Sequence, residues 1–237
     1  MRKLHDWNLS YKKAVELQRH LASKVRFSPL KKVPRLIAGL DCTISKDGQR
    51  ILAGAVVIRM ANFEVIETAN AWRKVHLPYI PGLLSFREAP ACIAAVEKLQ
   101  NKPDIFIVDG QGIAHPRRLG LAAHLGLFFE KPTIGCAKSR LTGYFEEPPP
   151  EKGTYSLLKD KKGRTPETSH GPRAASDEIV GAVVRTRTNV KPVFVSVGNK
   201  CLLKEAIEIT LACALKYRLP EPTRLAHQLV SRLRQRT

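Results

Sequence analysis

The sequence predicts an α/β protein built on a mixed β-sheet with helices on both faces. Three apolar segments, at 36–41, 51–60 and 63–72, are joined by short connections, which is typical of antiparallel neighbours. Between residues 85 and 136 the pattern then alternates between helix and strand, which indicates parallel strands joined by crossovers. We therefore expect three antiparallel strands followed by parallel strands in one sheet.

Apolar periodicity and chain-breaking residues predict the remaining elements. Ser10 is a suitable N-cap for a helix whose apolar stripe extends to Val25. The other expected helices lie at 85–99, 119–129, 204–217 and 222–235. The later expected strands lie at 104–108, 132–136, 178–187 and 192–197. A proline-rich stretch at 146–150 predicts a surface connection, and we expect a polar, basic loop at 159–176 that contacts nucleic acid.

The charge of the chain favours a polyanionic partner. The 237 residues, enough for one domain over 1–237, include 40 Lys and Arg against 21 Asp and Glu, a formal net charge of +19. Such an excess favours nucleic acid, because Lys and Arg release counterions from phosphates on binding. A generally basic or ribosome-associated protein would share this composition. We expect a monomer that acts on nucleic acid.

Cysteine usage and hydropathy predict a cytoplasmic protein without a membrane anchor. No apolar run is long enough to span a bilayer, and the first residues show no apolar core of a signal peptide. The five cysteines form no CxxC pair, and they are expected to be free thiols of an intracellular protein. They are Cys42, Cys92, Cys136, Cys201 and Cys213.

Two acids stand where apolar strands are expected to end. Asp109 closes the apolar run 104–108 and opens the glycine loop 110–117, and Asp41 closes the first strand. If these strands are adjacent, the two carboxylates converge at one edge of the sheet. Such hard oxygen ligands suit Mg²⁺, with Mn²⁺ as a substitute. A phosphodiester needs an ion of this kind to activate water and to neutralise developing charge.

Each candidate also has a structural interpretation. Asp41 and Asp109 could form ordinary turns, since Asp is common where strands end. Glu88 stands three residues after Ser85, which fits a capping box at the start of a helix. Single histidines are often structural, and a lysine is often only solvated. These last interpretations apply to His115, His227 and Lys138.

Four segments resemble the signatures of a known family. They are Pro78-Tyr79-Ile80-Pro81-Gly82-Leu83-Leu84-Ser85-Phe86-Arg87-Glu88, Asp109-Gly110-Gln111-Gly112 through His115-Pro116-Arg117, Pro132-Thr133-Ile134-Gly135-Cys136-Ala137-Lys138-Ser139, and Tyr217-Arg218-Leu219-Pro220-Glu221-Pro222-Thr223-Arg224 with His227. The first three resemble the PYxPGxLxFRE, DGxGxxHPR and PTIGVAKS segments of the endonuclease V family. Asp41, after Ile37-Ala38-Gly39, resembles its first-strand acid, so that the resemblance covers nearly the whole chain.

The resemblance implies an RNase H-like fold and a DNA repair activity. It implies hydrolysis of the second phosphodiester bond on the 3′ side of deoxyinosine, leaving a 3′-hydroxyl and a 5′-phosphate. Asp41 and Asp109 match the metal-ligand acids, and Glu88 matches a third acid that acts directly or through water. His115 and His227 match histidines near the metal and the scissile phosphate. Lys138 matches a lysine that contacts the DNA backbone.

The resemblance also implies a way to read the lesion. Tyr79, within Pro78-Tyr79-Ile80-Pro81, matches a wedge that separates the strands, although an isolated tyrosine is more often part of a core. An aromatic ring between prolines is a stiff plug that can replace a base in the stack. The positions that match the pocket for the extruded hypoxanthine are Gly82, Leu84, Gly110 and Leu141.

One departure and two rival functions remain. Asn199 stands where many family members have a histidine, which leaves any role of that histidine absent or taken by the amide. The same acids would serve an endoribonuclease that cuts inosine-containing RNA. A non-catalytic binder of damaged nucleic acid would retain the basic surface but would not need the three acids. The number of metal ions, one or two, stays open.

Overall fold

The computed structural model describes residues 4–161 and 177–235. The helices are α1 (Tyr11–Ala22), α2 (Leu84–Val96), α3 (Leu121–Phe129), α4 (Leu203–Cys213) and α5 (Glu221–Gln235). The strands are β1 (Leu36–Ile44), β2 (Arg50–Arg59), β3 (Val65–Lys74), β4 (Ile105–Val108), β5 (Thr133–Ala137), β6 (Tyr155–Lys161), β7 (Asp177–Val184) and β8 (Val193–Asn199). They form one eight-stranded sheet in the order β3-β2-β1-β4-β5-β8-β7-β6.

The pairing of the strands confirms the predicted mixed sheet. β1, β2 and β3 are antiparallel neighbours, and β4 and β5 then run parallel to β1. β8 returns antiparallel beside β5, and β7 and β6 complete that side as antiparallel strands. The sheet therefore has a parallel centre, formed by β1, β4 and β5, between two antiparallel wings.

Helices cover both faces of the sheet because alternate residues of the strands point to opposite sides. In β1, Ile37 shares an apolar cluster with Ala226 of α5. Its neighbour Ala38 belongs to a second cluster, together with Ala91 of α2 and Leu125 of α3. The alternation divides the core into two layers, one under α5 and the other under α2 and α3.

A close contact holds α5 against β1. A Cβ atom on Gly39 would lie 2.0 Å from the carbonyl carbon of Pro222, so that the start of α5 lies directly on the backbone of β1. Two residues further along β1, Asp41 accepts a hydrogen bond from His227 of α5. The glycine thus allows the approach that brings the C-terminal helix to an acid near the start of the chain.

Several elements end at residues other than the expected ones, among them β1, α1 and α4. β1 does not end at Asp41, because Cys42, Thr43 and Ile44 continue the ladder with β2. α1 is capped by Ser10 as expected, but it ends at Ala22 rather than Val25. α4 ends at Cys213, before the expected 217.

The edge strand β6 was not expected. Its side chains alternate between exposed and more buried, with Leu158 and Asp160 pointing inward, and a buried acid obscures the apolar signal of a strand. The basic loop expected at 159–176 therefore begins too early, since Lys159–Lys161 pair with β7. Residues 162–176 lie outside the described residues.

Candidate active site

The two acids from the strands converge, as expected. Leu40 of β1 is paired with Val108 of the parallel strand β4, and Asp109 follows β4 directly. The backbone N–H of Asp109 donates to the carbonyl of Leu40 at 2.9 Å, so the ladder continues to the acid itself. Because the strands run in the same direction, Asp41 and Asp109 lie side by side at the point where β4 ends.

A histidine from α5 completes a group of three possible ligands. One ligand atom each of Asp41, Asp109 and His227 lies within 4.8 Å of the other two. The Nδ1 of His227 is 2.7 Å from Oδ2 of Asp41. Lys138, directly after β5, forms an ion pair with the Oδ2 of Asp109. Two carboxylates and an imidazole are a donor set that suits a divalent cation.

Electrostatics support a cation at this position. Burial and, second, the negative charge of Asp109 raise the pKa of Asp41 to about 6, against the opposing effects of His227 and Lys138. Burial, together with the negative charge of Asp41, likewise raises the pKa of Glu88 to about 7. The buried carboxylates thus disfavour one another's ionised forms, and a bound cation would remove that repulsion. The residues present fit a divalent ion.

Glu88 does not cap α2, so the capping-box interpretation is wrong. α2 begins at Leu84, and its N-cap residue, Leu83, makes no side-chain capping bond. Ser85 is buried, and its Oγ lies 3.1 Å from Nδ1 of His124 instead of facing the helix terminus. Glu88 therefore lies one turn into the helix. It is close enough to Asp41 and Asp109 for their charges to raise its pKa, but it lies outside the group of three ligand atoms.

The alternative of a turn at Asp41 is also wrong. The residue lies within β1, opposite Gly54 of β2, and the strand continues beyond it. Its Oδ1 accepts the backbone N–H of Cys42 at 2.7 Å, while Oδ2 faces His227. Only 8% of Asp41 is exposed, so a carboxylate is held within the sheet and not at a solvated turn. Burial of this kind is typical of acids with altered proton affinity.

Lys138 is held in place by an arginine to which the sequence analysis gave no role. One Nη2 atom of Arg218 donates to the carbonyl of Lys138 at 2.6 Å and to that of Pro192 at 2.7 Å. The bond fixes the backbone from which the lysine reaches Asp109. Arg218 stands inside the motif around 217–224, and that was the only signal in the sequence.

His115 lies apart from the group of possible ligands. Its Nδ1 accepts the backbone N–H of Arg117 at 3.1 Å, and its Nε2 lies 3.1 Å from the carbonyl of Gly82. Burial, together with the charge of Arg117, lowers the pKa of His115 to about 3, so the ring is neutral. Because Nδ1 accepts, Nε2 carries the proton and donates to Gly82. Both ring nitrogens are therefore used within the protein.

The tyrosine of the Pro78–Pro81 stretch faces solvent. Tyr79 is 65% exposed, which rules out the alternative of a core tyrosine. Pro78 and Pro81 are also exposed, whereas Ile80 packs on a cluster that contains Leu83. The stretch therefore presents an exposed aromatic ring next to a packed apolar residue, and its role as a wedge stays a prediction.

The four positions expected to line a base pocket lie on three segments joined by hydrogen bonds. Gly82 and Leu84 flank the start of α2, Gly110 follows Asp109, and Leu141 follows β5 and is half exposed. The glycine loop connects the segments: Gln111 Nε2 donates to the carbonyl of Ser139 at 2.9 Å, and Arg117 Nη2 donates to that of Gly82 at 2.8 Å. The loop thus links the carboxylates, the exposed tyrosine and the segment after β5.

Asn199 does not take over a catalytic position. Its side chain is buried, accepts the backbone N–H of Arg26 at 2.9 Å and donates to the carbonyl of Gly126 at 2.9 Å. The contacts join the end of β8 to the segment after α1 and to helix α3. The amide has a structural role at this position.

Comparison with known proteins agrees with this geometry. The sequence model of the endonuclease V family matches residues 19–228. This chain belongs to the endonuclease V family. Endonuclease V of Methanothrix thermoacetophila is 47% identical to it over 228 residues, which cover 96% of this chain and 94% of the relative.

Solved endonuclease V structures share the fold. That of Streptomyces avermitilis, 37% identical, superposes with a TM-score of 0.86 and covers 97% of this chain and 95% of its own. That of Ciona intestinalis, in complex with a 24mer DNA containing an inosine followed by a ribo-adenosine, is 26% identical, with a TM-score of 0.75 and coverage of 95% and 98%. The predicted RNase H-like fold is confirmed, and the protein is a nuclease, a hydrolase of phosphodiester bonds.

Membership of the endonuclease V family accounts for the acidic group, since nucleases of this type are generally metal-dependent. Within residues 4–161 and 177–235, no helix combines the length and hydropathy that crossing a lipid bilayer needs.

Replacing Glu88 with Gln should alter how the stability of the metal-free protein depends on pH. Folding raises the pKa of Glu88 from 4.5 to about 7, so the native state binds more protons than the unfolded state between these values. The free energy of unfolding must therefore fall as pH rises through this window. Glu88→Gln should reduce that fall by roughly 1–3 kcal/mol. Urea unfolding with a chelator, at several pH values, measures it.

The exposed Glu97, at the other end of α2, provides a matched control. Glu97→Gln should leave the wild-type pH profile unchanged. A Glu88→Gln profile that superposes on the wild type would contradict the assigned burial of this acid.

Proposed function

We propose that this protein is a metal-dependent DNA repair endonuclease that recognises deoxyinosine, the product of adenine deamination. It hydrolyses the second phosphodiester bond on the 3′ side of the lesion and leaves a 3′-hydroxyl and a 5′-phosphate. The observation that carries the proposal is the convergence of Asp41, Asp109 and His227 within 4.8 Å. The complex of the Ciona intestinalis relative with inosine-containing DNA supports the substrate class.

Asp41 and Asp109 hold the metal ion in this proposal, and Glu88 acts as a third acid, directly or through water. Mg²⁺ suits these ligands, and Mn²⁺ would substitute for it, because both prefer hard oxygen donors. When bound, such an ion supplies Lewis-acid activation of water and stabilises the leaving 3′-oxygen. The carboxylates must be ionised to bind it, which favours activity above the raised pKa values of Asp41 and Glu88.

Residues around the acids position the substrate. The Nδ1 of His227 donates to Asp41, and the side chain is 52% exposed, so the ring is accessible to the scissile phosphate. Lys138, 41% exposed, pairs with Asp109 and extends a positive charge toward the backbone of the nucleic acid. We also assign His115 to the machinery, but as a neutral donor to Gly82. Its effect is transmitted through that carbonyl.

Lesion recognition is assigned to the exposed tyrosine and the pocket around the glycine loop. Tyr79 enters the base stack as a wedge and holds open the space of the displaced base, with Pro78, Ile80 and Pro81 keeping it rigid. The pocket positions are Gly82, Leu84, Gly110 and Leu141. Backbone groups at the two glycines can read the edge of hypoxanthine, which lacks the amino groups of adenine and guanine. Opening a pair costs least at a damaged site, which adds selectivity.

We further propose one catalytic domain over residues 1–237, a monomeric state and a cytoplasmic location. All the described strands join one sheet, and the acidic group is complete within one chain. All five cysteines are free, and four of them are buried, as in proteins of a reducing compartment.

An inosine-specific endoribonuclease is the second candidate. The observation that favours it is the ribo-adenosine that follows the inosine in the complex of the Ciona intestinalis relative. The same acids would serve both sugars.

Cleavage of inosine-containing strands tests the function and the metal dependence together. We expect Mg²⁺ to support cutting of a duplex with one deoxyinosine, at the second bond on its 3′ side, while the matched adenine duplex stays intact. Excess chelator should abolish cutting, because the carboxylates alone supply no Lewis acid. Product lengths on sequencing gels give the position of the cut.

The same assay separates the rivals. Undiminished cutting in chelator would contradict the metal proposal. Preference for a matched inosine-containing RNA would favour the endoribonuclease, and binding without any cutting would favour the non-catalytic alternative.

Replacing Asp109 with Asn should abolish cutting but retain binding. The amide keeps the shape of the side chain and loses the charge that holds the ion, so we expect the cleavage rate to fall by about 100-fold or more. Affinity for the inosine duplex, measured by fluorescence anisotropy, should remain close to the wild type.

Asp104, immediately before the same strand, is the matched control. It pairs with Lys32 and accepts the backbone N–H groups of Arg35 and Leu36, away from the other acids. Asp104→Asn should cut at the wild-type rate per folded molecule. Wild-type turnover by Asp109→Asn would overturn the assigned metal site.

Replacing Tyr79 with Ala should weaken discrimination of the lesion. Without the ring nothing fills the gap in the stack, and we expect the preference for inosine over adenine to fall by about tenfold. The ratio of kcat/KM values on the two duplexes measures it. Tyr155→Ala, which removes an exposed tyrosine from the edge strand β6, should leave the ratio unchanged. An unaltered ratio in Tyr79→Ala would remove the wedge role.

A further inference from the structure

The carbonyl of Gly82 accepts hydrogen bonds from three side chains. Gln18 Nε2 donates at 3.0 Å, Arg117 Nη2 at 2.8 Å and His115 Nε2 at 3.1 Å. Gly82 has a φ of +78°, and a Cβ atom there would lie 2.5 Å from the Nη2 of Arg117. The guanidinium therefore occupies the space that a side chain would need. This carbonyl lies directly after the segment 78–81, which carries the exposed Tyr79.

Both the nitrogen and the oxygen of the Gln18 amide take part in hydrogen bonds. Its Nε2 donates a second bond, to the carbonyl of Leu119 at 2.7 Å, and its Oε1 accepts the Nε of Arg117. Gln18 is fully buried on α1, whose other buried residues are Ala14, Val15 and Leu21. A buried amide is costly unless it is satisfied, and it therefore belongs to a specified network rather than to a generic apolar face.

This network joins three segments that are distant in the chain. Gln18 lies on α1, Gly82 follows the tyrosine segment, and Arg117 and Leu119 end the glycine loop that begins after Asp109. The amide thus connects the segment that carries Tyr79 to the glycine loop that follows Asp109. The stacked bases resist a ring that enters between them. The segment that carries Tyr79 therefore needs a second point of attachment besides the packing of Ile80.

We propose that Gln18 is a positioning residue that fixes the Tyr79 segment against the glycine loop and so sets the ability to open a base pair at the lesion. The inference rests on the proposed function, in which Tyr79 is the wedge. It adds a residue of α1, outside the group of possible ligands, that matters only where a pair must be opened.

The distinguishing test compares duplex with single-stranded DNA, each with one deoxyinosine. Gln18→Met keeps the length of the side chain and removes both donors and the acceptor. We expect its kcat/KM on the duplex to fall about tenfold, and on the single strand to stay within about twofold of the wild type. Gln100→Met, the same substitution at an exposed residue beyond α2, should match the wild type on both substrates.

A second variant guards against loss of the fold. Gln18→Glu keeps an acceptor for Arg117 but removes the amide donors to Gly82 and Leu119, so the same selective loss on the duplex is expected. An equal loss on both substrates in both variants would show a merely structural role and overturn the proposal. Wild-type activity on both substrates would overturn it as well.

A binding measurement keeps the inference separate from the proposed function. If the wild type cuts neither substrate, the proposed function fails, and the opening of the pair is followed instead by 2-aminopurine fluorescence beside the lesion, without a divalent ion. The wild type should increase the fluorescence on binding, and Gln18→Met should not. No increase with the wild type, or an equal increase with the variant, would overturn the positioning role.

Discussion

The parallel pairing of β1 with β4 is the constraint on which the rest of the site depends. It places Asp41 and Asp109 beside each other at one edge of the sheet, where the two carboxylates repel and burial removes much of the screening by water. A globular protein has no structural reason to create such a pair. The repulsion is useful where a divalent cation binds, because the charge of the ion turns it into attraction.

The C-terminal helix and the glycine loop connect this pair of acids to two other parts of the protein. α5 rests on Gly39, where any Cβ atom would clash with Pro222, and so it brings His227 to Asp41. The glycine loop begins at Asp109 and reaches Gly82 through Arg117. The acids and the exposed tyrosine are consequently not independent features. The glycine loop connects them, because it follows Asp109 and bonds through Arg117 to Gly82, next to the tyrosine segment.

Local patterns predicted most of the fold, and they failed where the signal was ambiguous. Short connections and apolar runs were sufficient for the order and the direction of the central strands. β6 was not predicted, because its inward-facing residues include Asp160. The burial of this acid is stabilised by Arg118 and not by apolar packing. The role of Glu88 was ambiguous, because a serine followed three residues later by a glutamate fits both a capping box and an acid of the site. The bond of Ser85 to His124 decides between these interpretations.

Contacts between distant segments limited the prediction of the site. Asp41 and Asp109 could be paired from the rule that parallel strands share their carboxyl ends, but the approach of His227 depends on where α5 packs. Gln18 gave no signal beyond a polar residue within an amphipathic helix, because its partners are all backbone groups and one arginine. The resemblance of motifs supplied the identity of the acids, whereas the supporting network required the packed structure.

The acidic group contrasts with the positive net charge of the chain. A net charge of +19 favours the binding of phosphates, yet in the proposed function the reacting phosphate has to approach a cluster of carboxylates. Lys138 and Arg218 border the cluster on one side, and a divalent ion between the acids would make its centre positive as well. The negative charge of the carboxylates therefore repels a phosphate only in the metal-free protein. In the proposed function, affinity for nucleic acid comes from the basic residues, while hydrolysis takes place where Asp41, Asp109 and His227 are close enough to bind a cation.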